Sequence, residues 1–391
     1  MSSTETCKDP VSSLRERFTS LYGGTPRVFR APGRVNLIGE HTDYNDGFVM
    51  PAAIGFATWI AAGPRDDGKL CVYSDKFAES QDWELSGLAP GPTGSWSDYV
   101  RGVAGVMQAR GHKLRGANLA VHSTVPVGSG LSSSAAIEVA TAIALMGISG
   151  LQVPRAEVAL ICQQAEHLYA GARCGIMDQF ISAHGRAGHA VLLDCRSLGF
   201  EYVPIPSGVR VVICDTRVKH AVSGGEYNER RAACEAGVAH LSKSLPGIRA
   251  LRDVTPQQLE AHKAGLPEVT YRRCRHVVGE IARTAQAAEA LKTGDLARFG
   301  RLMYESHYSL RDDYEVSCSE LDILVDIASQ LQGVYGARMT GAGFGGCTVN
   351  ILDESAVPDF HVKIASQYMR AVGSQPEIYV SEAADGASEC F

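Results

Sequence analysis

The chain has 391 residues, 45% of them hydrophobic and 20% charged, with a formal net charge of −6. That length exceeds the ~250–300 residues at which a single core stops growing, so two domains are expected. The acidic balance offers no basic stripe for gripping nucleic-acid phosphates. Arg272, Arg273 and Arg275 lie among Glu and apolar residues and read as a solvated helix face. The polar N-terminus, MSSTETCKDP, lacks the apolar core of a secretion signal. The longest apolar run, Ala135 to Ile148, is interrupted by Glu138 and is too short to span a bilayer, so a buried helix is expected and no membrane partner. The eleven cysteines are scattered singly with no Cys-x-x-Cys, which argues against a disulfide framework and a structural zinc site. A reducing compartment, the cytoplasm, is implied.

In chain order, short β-like runs come first: Val28 to Ala31, Phe48 to Met50, Ala57 to Ala62 and Leu70 to Ser74. Ala78 to Ser97 is rich in Gly, Pro and Ser and reads as a loop. A helix is expected over Asp98 to Arg110 and a strand over Asn118 to His122, leading into a Gly-rich turn. Ser132 to Met146 is apolar almost all round, the mark of a helix buried on most sides. Pro154 to Ala170 starts with a proline suited to the first helical position and carries the stripe Val158, Ile161, Cys162, Ala165, Leu168, Tyr169.

The second half opens on the β-branched run Val209 to Cys214 and then turns helix-rich. Thr255-Pro-Gln-Gln258 and Ser317-Cys-Ser-Glu320 both match the capping box. Strands are expected at Arg338 to Thr340, Cys347 to Leu352 and Ile378 to Val380, around a helix from Ser355 to Met369. Mixed runs of strands and helices indicate an α+β protein. The domain boundary is placed near Pro204 to Ser207, dividing the chain into 1–204 and 205–391.

Three segments carry candidate chemistry. Pro126-Val-Gly-Ser-Gly-Leu-Ser-Ser-Ser-Ala135 links a strand to the buried helix; it reads either as a serine-capped helix or as a cradle of backbone N–H groups for phosphate. It is not a Walker loop, since no Gly-Lys-[Ser/Thr] follows. Gly341-Ala-Gly-Phe-Gly-Gly346 matches Gly-x-Gly-x-x-Gly but precedes a strand and lacks the acidic residue about 20 positions on, so the dinucleotide reading fails. A loop packed close to another backbone or a ligand, or a plain loop, remains. In Ala31 to Tyr44, Arg34, Glu40, His41 and Asp43 are interleaved with Val35, Leu37 and Ile38. That interleaving suits a segment folded into a cleft, where the polar groups meet sugar hydroxyls and Arg34 meets a carboxylate or phosphate.

GRVNLIGEHTDY (Gly33 to Tyr44), VPVGSGLSSSA (Val125 to Ala135) and MTGAGFGGCTV (Met339 to Val349) resemble, in order, the three signature motifs of the GHMP small-molecule kinases. The first is close to the version in members that phosphorylate galactose. CQQAEH (Cys162 to His167), CGIMDQF (Cys174 to Phe180) and RHVVGEIARTAQAA (Arg275 to Ala288) are similar to the same members. The resemblance implies a two-domain α+β fold: an N-terminal ribosomal-protein-like domain and a C-terminal ferredoxin-like domain, with the active site between them. It also implies transfer of a phosphoryl group from ATP to the anomeric hydroxyl of galactose, giving galactose 1-phosphate and ADP, the first committed step of galactose catabolism.

By the same resemblance Gly128, Ser129, Gly130, Leu131, Ser132, Ser133 and Ser134 cradle the ATP phosphates, and Trp96 walls the adenine. Ser134 and Glu166 hold Mg²⁺. Asp178 is the general base, with Arg34 stabilising transition-state charge, and Glu40, His41, Asp43, Gly175 and Tyr227 bind the sugar. Read from composition alone, Asp178 is first of all a helix-capping or turn aspartate, while Glu166 is equally a boundary glutamate and Trp96 nearly as well a surface tryptophan. The other histidines and cysteines show no ligand spacing and are taken as structural. N-acetylgalactosamine is the rival substrate, since its acceptor hydroxyl is the same. A non-catalytic sensor of sugar and ATP is the rival from another class, and the intact Leu131-Ser-Ser-Ser-Ala135 speaks against it. A monomer or weak dimer is expected.

Overall fold

The structure, a computed structural model, describes residues 9–219 and 225–391. Most of the polar N-terminal stretch, and Gly224 of the segment that carries Tyr227, lie outside the described residues. The first half is built on a six-stranded sheet. Its strands lie in the order Ser388–Cys390, Arg27–Asn36, Pro51–Arg65, Gly116–Ser123, Lys69–Ser74, Glu79–Glu84. All neighbours are antiparallel except the parallel pair Lys69–Ser74 with Gly116–Ser123. The outermost strand, Ser388–Cys390, is the end of the chain, so the last residues of the second half return to the sheet of the first. A small sheet of Phe48–Val49, His189–Asp194 and Phe200–Pro204 leads to the second half. There the strands Val334–Thr340, Gly345–Asp353, Val209–Lys219 and Glu377–Ser381 form an antiparallel sheet in that order. Among the described residues no helix is long and apolar enough to cross a membrane.

Strand periodicity decides what each face meets. Val212 and Cys214 pack with Leu324, Val325, Phe360, Ile364 and Tyr368 from the helices Ser319–Ser329 and Val357–Val372. Val211 and Ile213, pointing the other way, join Phe299 and Met303 of the helix Leu296–Ser309. That second cluster also takes in Val35, Leu37, Ile38 and Leu131, so both halves share one core through the apolar residues of the first two motifs.

Several expectations need correction. Glu79–Glu84, inside the segment read as a loop, is an edge strand. Its sequence, ESQDWE, is solvated on most of both faces, so it lacks an apolar alternation to read. Pro154 is the residue before the helix, which runs Arg155–Ala165 and ends in a five-residue π turn, Glu166–Ala170. Thr255 forms its capping box with Gln258, but Ser317 does not cap: Cys318 takes the N-cap position and the Ser317 hydroxyl donates to Asp322 at 2.5 Å. Of Arg272, Arg273 and Arg275, Arg275 is exposed as a solvated face requires, Arg272 is partly buried, and Arg273 departs from the expectation. Arg273 is buried against Glu315, Arg272 pairs with Glu315, and Arg275 pairs with Asp313. Their partners lie about forty residues away, beyond any helical pattern.

The helix Ser133–Ser149 buries Ala, Val and Leu residues against the large sheet as expected. Its N-terminal loop is held from behind by the third motif. A Cβ on Gly341 (φ +87°) would stand 2.9 Å from Gly130 O, and one on Gly346 (φ +80°) 2.8 Å from Ser129 O. Both positions thus combine a left-handed backbone with an approach only glycine permits, which is the close-packed alternative of the two readings. Gly346→Ala should push the 128–130 loop out of place. If that loop cradles ATP as the resemblance implies, ATP affinity should fall by at least ~10-fold (~1.4 kcal/mol) while affinity for the expected sugar is largely kept, as read by titration calorimetry with each ligand.

Candidate active site

Arg34 organises the site. The register between Arg27–Asn36 and Pro51–Arg65 shifts between Pro32 and Arg34, a bulge of the kind that re-aims the following side chain. Arg34 is buried, and its Nε and Nη2 reach Asp178 Oδ1 at 2.8 Å and Oδ2 at 2.6 Å, a bidentate fork. Its Nη1 donates to Gly130 O, and its backbone N–H to Leu131 O at 3.1 Å. The Ser132 hydroxyl donates to the same Asp178 carboxylate. Ser132 therefore holds the N-cap position without a side-chain capping bond; it adopts a left-handed backbone, φ 60°, and its side chain turns to Asp178. His41 (φ 62°) and Phe344 (φ 61°) share that conformation, so each of the three motifs carries one such residue. Strain of this kind, ~1–3 kcal/mol apiece, concentrates at functional sites.

One cavity gathers Arg34, Glu40, His41, Asp43, Gly175, Asp178 and Tyr227, all the residues expected to bind sugar. Burial, with Asp178 and Glu40 nearby, pushes the Asp43 carboxyl up to about 7. Gly175 is a close-approach glycine, since a Cβ there would overlap that carboxylate. Burial and His276 push the His41 imidazole down to about 3, so it is neutral. Its Nδ1 meets Tyr44 Oη at 2.7 Å and its Nε2 meets Ala342 O at 3.3 Å. Glu40 lines the cavity, but its oxygens accept from Asn36 Nδ2 and from the Gly341 N–H. Glu40 therefore fastens the first motif to the third.

A second cavity, between the large sheet and the start of the helix Ser133–Ser149, is lined by Trp96, Phe77, Tyr99, Lys76, Ser133 and Ser134 among others. Trp96 stacks on Phe77 with ring centroids 5.7 Å apart and planes 15° from parallel, and its Nε1 donates to Glu79 at 3.1 Å. This flat aromatic pair and the serines, at a helix N-terminus with unsatisfied N–H groups, suit a purine and its phosphates. Ser129 turns its hydroxyl inward to Pro126 O at 2.9 Å, and Leu131 is a core side chain, so these two can offer a ligand only backbone atoms.

Ser134 lines the second cavity and Glu166 the first, and the Ser134 hydroxyl is one of the groups that draw the Glu166 carboxyl down. Burial, then Asp178, pushes Glu166 up to about 7, and burial pushes Glu138 well up too. Glu138 Oε1 is buried without a partner. Among the described residues no three His, Cys, Asp or Glu side chains form a complete cage. Hard oxygens short of a counter-cation nevertheless fit Mg²⁺, which keeps waters and phosphate oxygens and needs few protein ligands.

Sequence reasoning missed Gln179 and Glu138 behind Glu166, and Phe77 opposite Trp96. Glu138 had a signal, being the carboxylate that interrupts an apolar helix; Phe77 had none. A larger cavity, lined by Tyr271, Arg275, Arg283 and Tyr308, lies away from the motifs, and its arginines pair with Asp313 and Glu280.

The fold is that of a GHMP kinase. Residues 98–186 match the GHMP kinases N terminal domain and residues 287–369 the GHMP kinases C terminal. A mevalonate kinase from Methanococcus jannaschii shares the fold (TM-score 0.63, 18% identity, 93% of this chain and 99% of that one). Residues 16–64 match the galactokinase galactose-binding signature. A galactokinase of Roseiflexus sp. (strain RS-1) is 49% identical over 377 residues, 96% of each chain. One from Chloroflexus aggregans is 48% identical over 97% of each. The crystal structure of Lactococcus lactis galactokinase complexed with galactose superposes with TM-score 0.94 at 36% identity, covering 98% of this chain and 100% of that one. The chain belongs to the galactokinase family.

The Asp43 carboxyl ionises near 3.8 when exposed and near 7 in the fold, so the folded state binds the extra proton between those values. Its stability contribution is complete at low pH and lost as pH rises through about 7. Asp43→Asn should therefore gain stability relative to the parent between pH 5 and pH 8, by at most ~4 kcal/mol, measured by thermal unfolding without ligands. The same variant should lose galactose affinity.

Proposed function

We propose that this chain transfers the γ-phosphoryl group of ATP to the anomeric hydroxyl of α-D-galactose, with Asp178 accepting the hydroxyl proton. The observation that carries the reading is the Arg34–Asp178 fork in the cavity of the GEHTDY motif, one serine–glutamate contact away from the aromatic and serine-lined cavity. Phosphoryl transfer is mainly positioning and charge stabilisation, with little covalent work for the protein. Asp43, Tyr227 and the neutral His41 orient the sugar; Glu40 keeps the third motif against it. Asp178 takes the proton of the attacking oxygen, which forms its bond to the γ-phosphorus as the bond to the β-phosphate oxygen breaks and ADP leaves. Arg34 stays beside the developing negative charge.

Ser133, Ser134 and the backbone of 128–130 face the phosphates, and Trp96 with Phe77 takes the adenine. Ser134 and Glu166 would hold Mg²⁺, which when bound would neutralise phosphate charge. The relatives named as galactokinases favour galactose over N-acetylgalactosamine, and an enzyme over a silent sensor. A cytoplasmic location accords with the ten cysteines of the described residues, all free.

Two measurements test the proposal. Across a monosaccharide panel, ADP release should depend on galactose and be far weaker with N-acetylgalactosamine; release independent of galactose overturns the substrate. Asp178→Asn should lower kcat by ~10²–10⁴-fold while galactose still binds by calorimetry. A near-normal kcat would remove Asp178 from the role of base.

A further inference from the structure

Gln179 follows Asp178 on the helix Met177–His184 and is wholly buried. Its Nε2 donates to Glu166 Oε2 at 2.6 Å and to Glu138 Oε2 at 3.0 Å. One amide therefore joins three helical segments: Ser133–Ser149 through Glu138, the π turn Glu166–Ala170 through Glu166, and the helix that carries Asp178.

Glu138 is fully buried on a helix whose other buried residues are nearly all Ala, Val, Leu and Ile. Burying a carboxyl is costly unless its bonds are satisfied, and packing alone would be better served by an apolar residue. Glu138 meets Gln179, yet its Oε1 has no partner, nor does Gln179 Oε1. The arrangement is poor for stability and well suited to orientation. Between two acceptors an amide must present its NH₂ end to both, so Glu138 selects which way Gln179 points. With Oε2 of Glu166 tied to that amide, the carboxylate is held in one rotamer and Oε1 is left for another ligand. Glu138 also lies four residues after Ser134, on the same helix face.

We propose that Gln179, oriented by Glu138, is a positioning residue that locks the Glu166 carboxylate for the divalent cation of the nucleotide complex. This rests on the reading of Glu166 as a cation ligand. Groups that orient a metal ligand from behind typically account for ~10–100-fold in metal affinity.

The test is Mn²⁺ binding by electron paramagnetic resonance, on the full chain with a non-hydrolysable ATP analogue, with galactose binding measured by calorimetry in parallel. Gln179→Leu is expected to weaken Mn²⁺ by ~10–100-fold, to leave galactose affinity near that of the parent, and to regain kcat as Mg²⁺ is raised. Glu138→Leu, which frees the amide to turn, should weaken Mn²⁺ by less. Glu166→Gln is the control on the underlying reading. Weakened Mn²⁺ binding in Glu166→Gln together with unchanged binding in Gln179→Leu overturns the positioning role. Unchanged binding in Glu166→Gln instead overturns the assignment of Glu166 as a ligand, and the proposal with it. Should Gln179→Leu fail to bind galactose, Gln179→Asn, whose amide falls one methylene short of Glu166, is read by the same criteria.

Discussion

A single guanidinium holds the parts of this site in register. Arg34 grips both oxygens of Asp178, donates to the Gly130 carbonyl, and donates its own backbone N–H to Leu131 O. The planar fork fixes the carboxylate in direction as well as distance, which a lysine could not do. Because Arg34 is buried, removing Asp178 would leave the guanidinium charge unpaired in a low-dielectric interior. The strand Arg27–Asn36, the glycine loop and the helix Met177–His184 are thereby one unit, and the third motif locks onto it through the Gly341 and Gly346 approaches.

Around that unit the pocket is short of positive charge. Glu40, Glu138 and Glu166 are buried and Asp43 is half-buried, and loss of solvent pushes each carboxyl upward. Together with the left-handed His41, Ser132 and Phe344, these groups destabilise the unliganded fold. The compensation lies in the apolar cluster that both halves share, from Val35 and Leu131 to Ile213 and Met303. A site kept polar, strained and dry needs a well-packed scaffold, and function here draws on stability elsewhere.

The three motifs were legible because their chemistry is local. Glycines, serines and charged residues at fixed spacing announce a loop built to approach something closely, and the structure brings all three loops to one place. Buried periodic elements were also readable, such as Ser133–Ser149 and the alternating Val209–Lys219. Glu79–Glu84 was not, because a polar edge strand borrows its conformation from the hydrogen bonds of Lys69–Ser74. Arg273 was misread for the same kind of reason, its partner Glu315 being brought to it only by folding.

By itself the sequence determined which residues could do chemistry: an arginine, a few carboxylates, a histidine and a serine-rich helix start, each with a fixed repertoire of donors and acceptors. Only the tertiary structure decided how that repertoire is spent. Ser132 turned to Asp178 instead of capping its helix, Glu40 became a clasp to Gly341, and Gln179 came between two buried carboxylates. The physical reason is that a side chain's capacity to bond is a property of the residue. Its partner is a property of distance in the folded chain, and these partners lie between 13 and 301 residues apart.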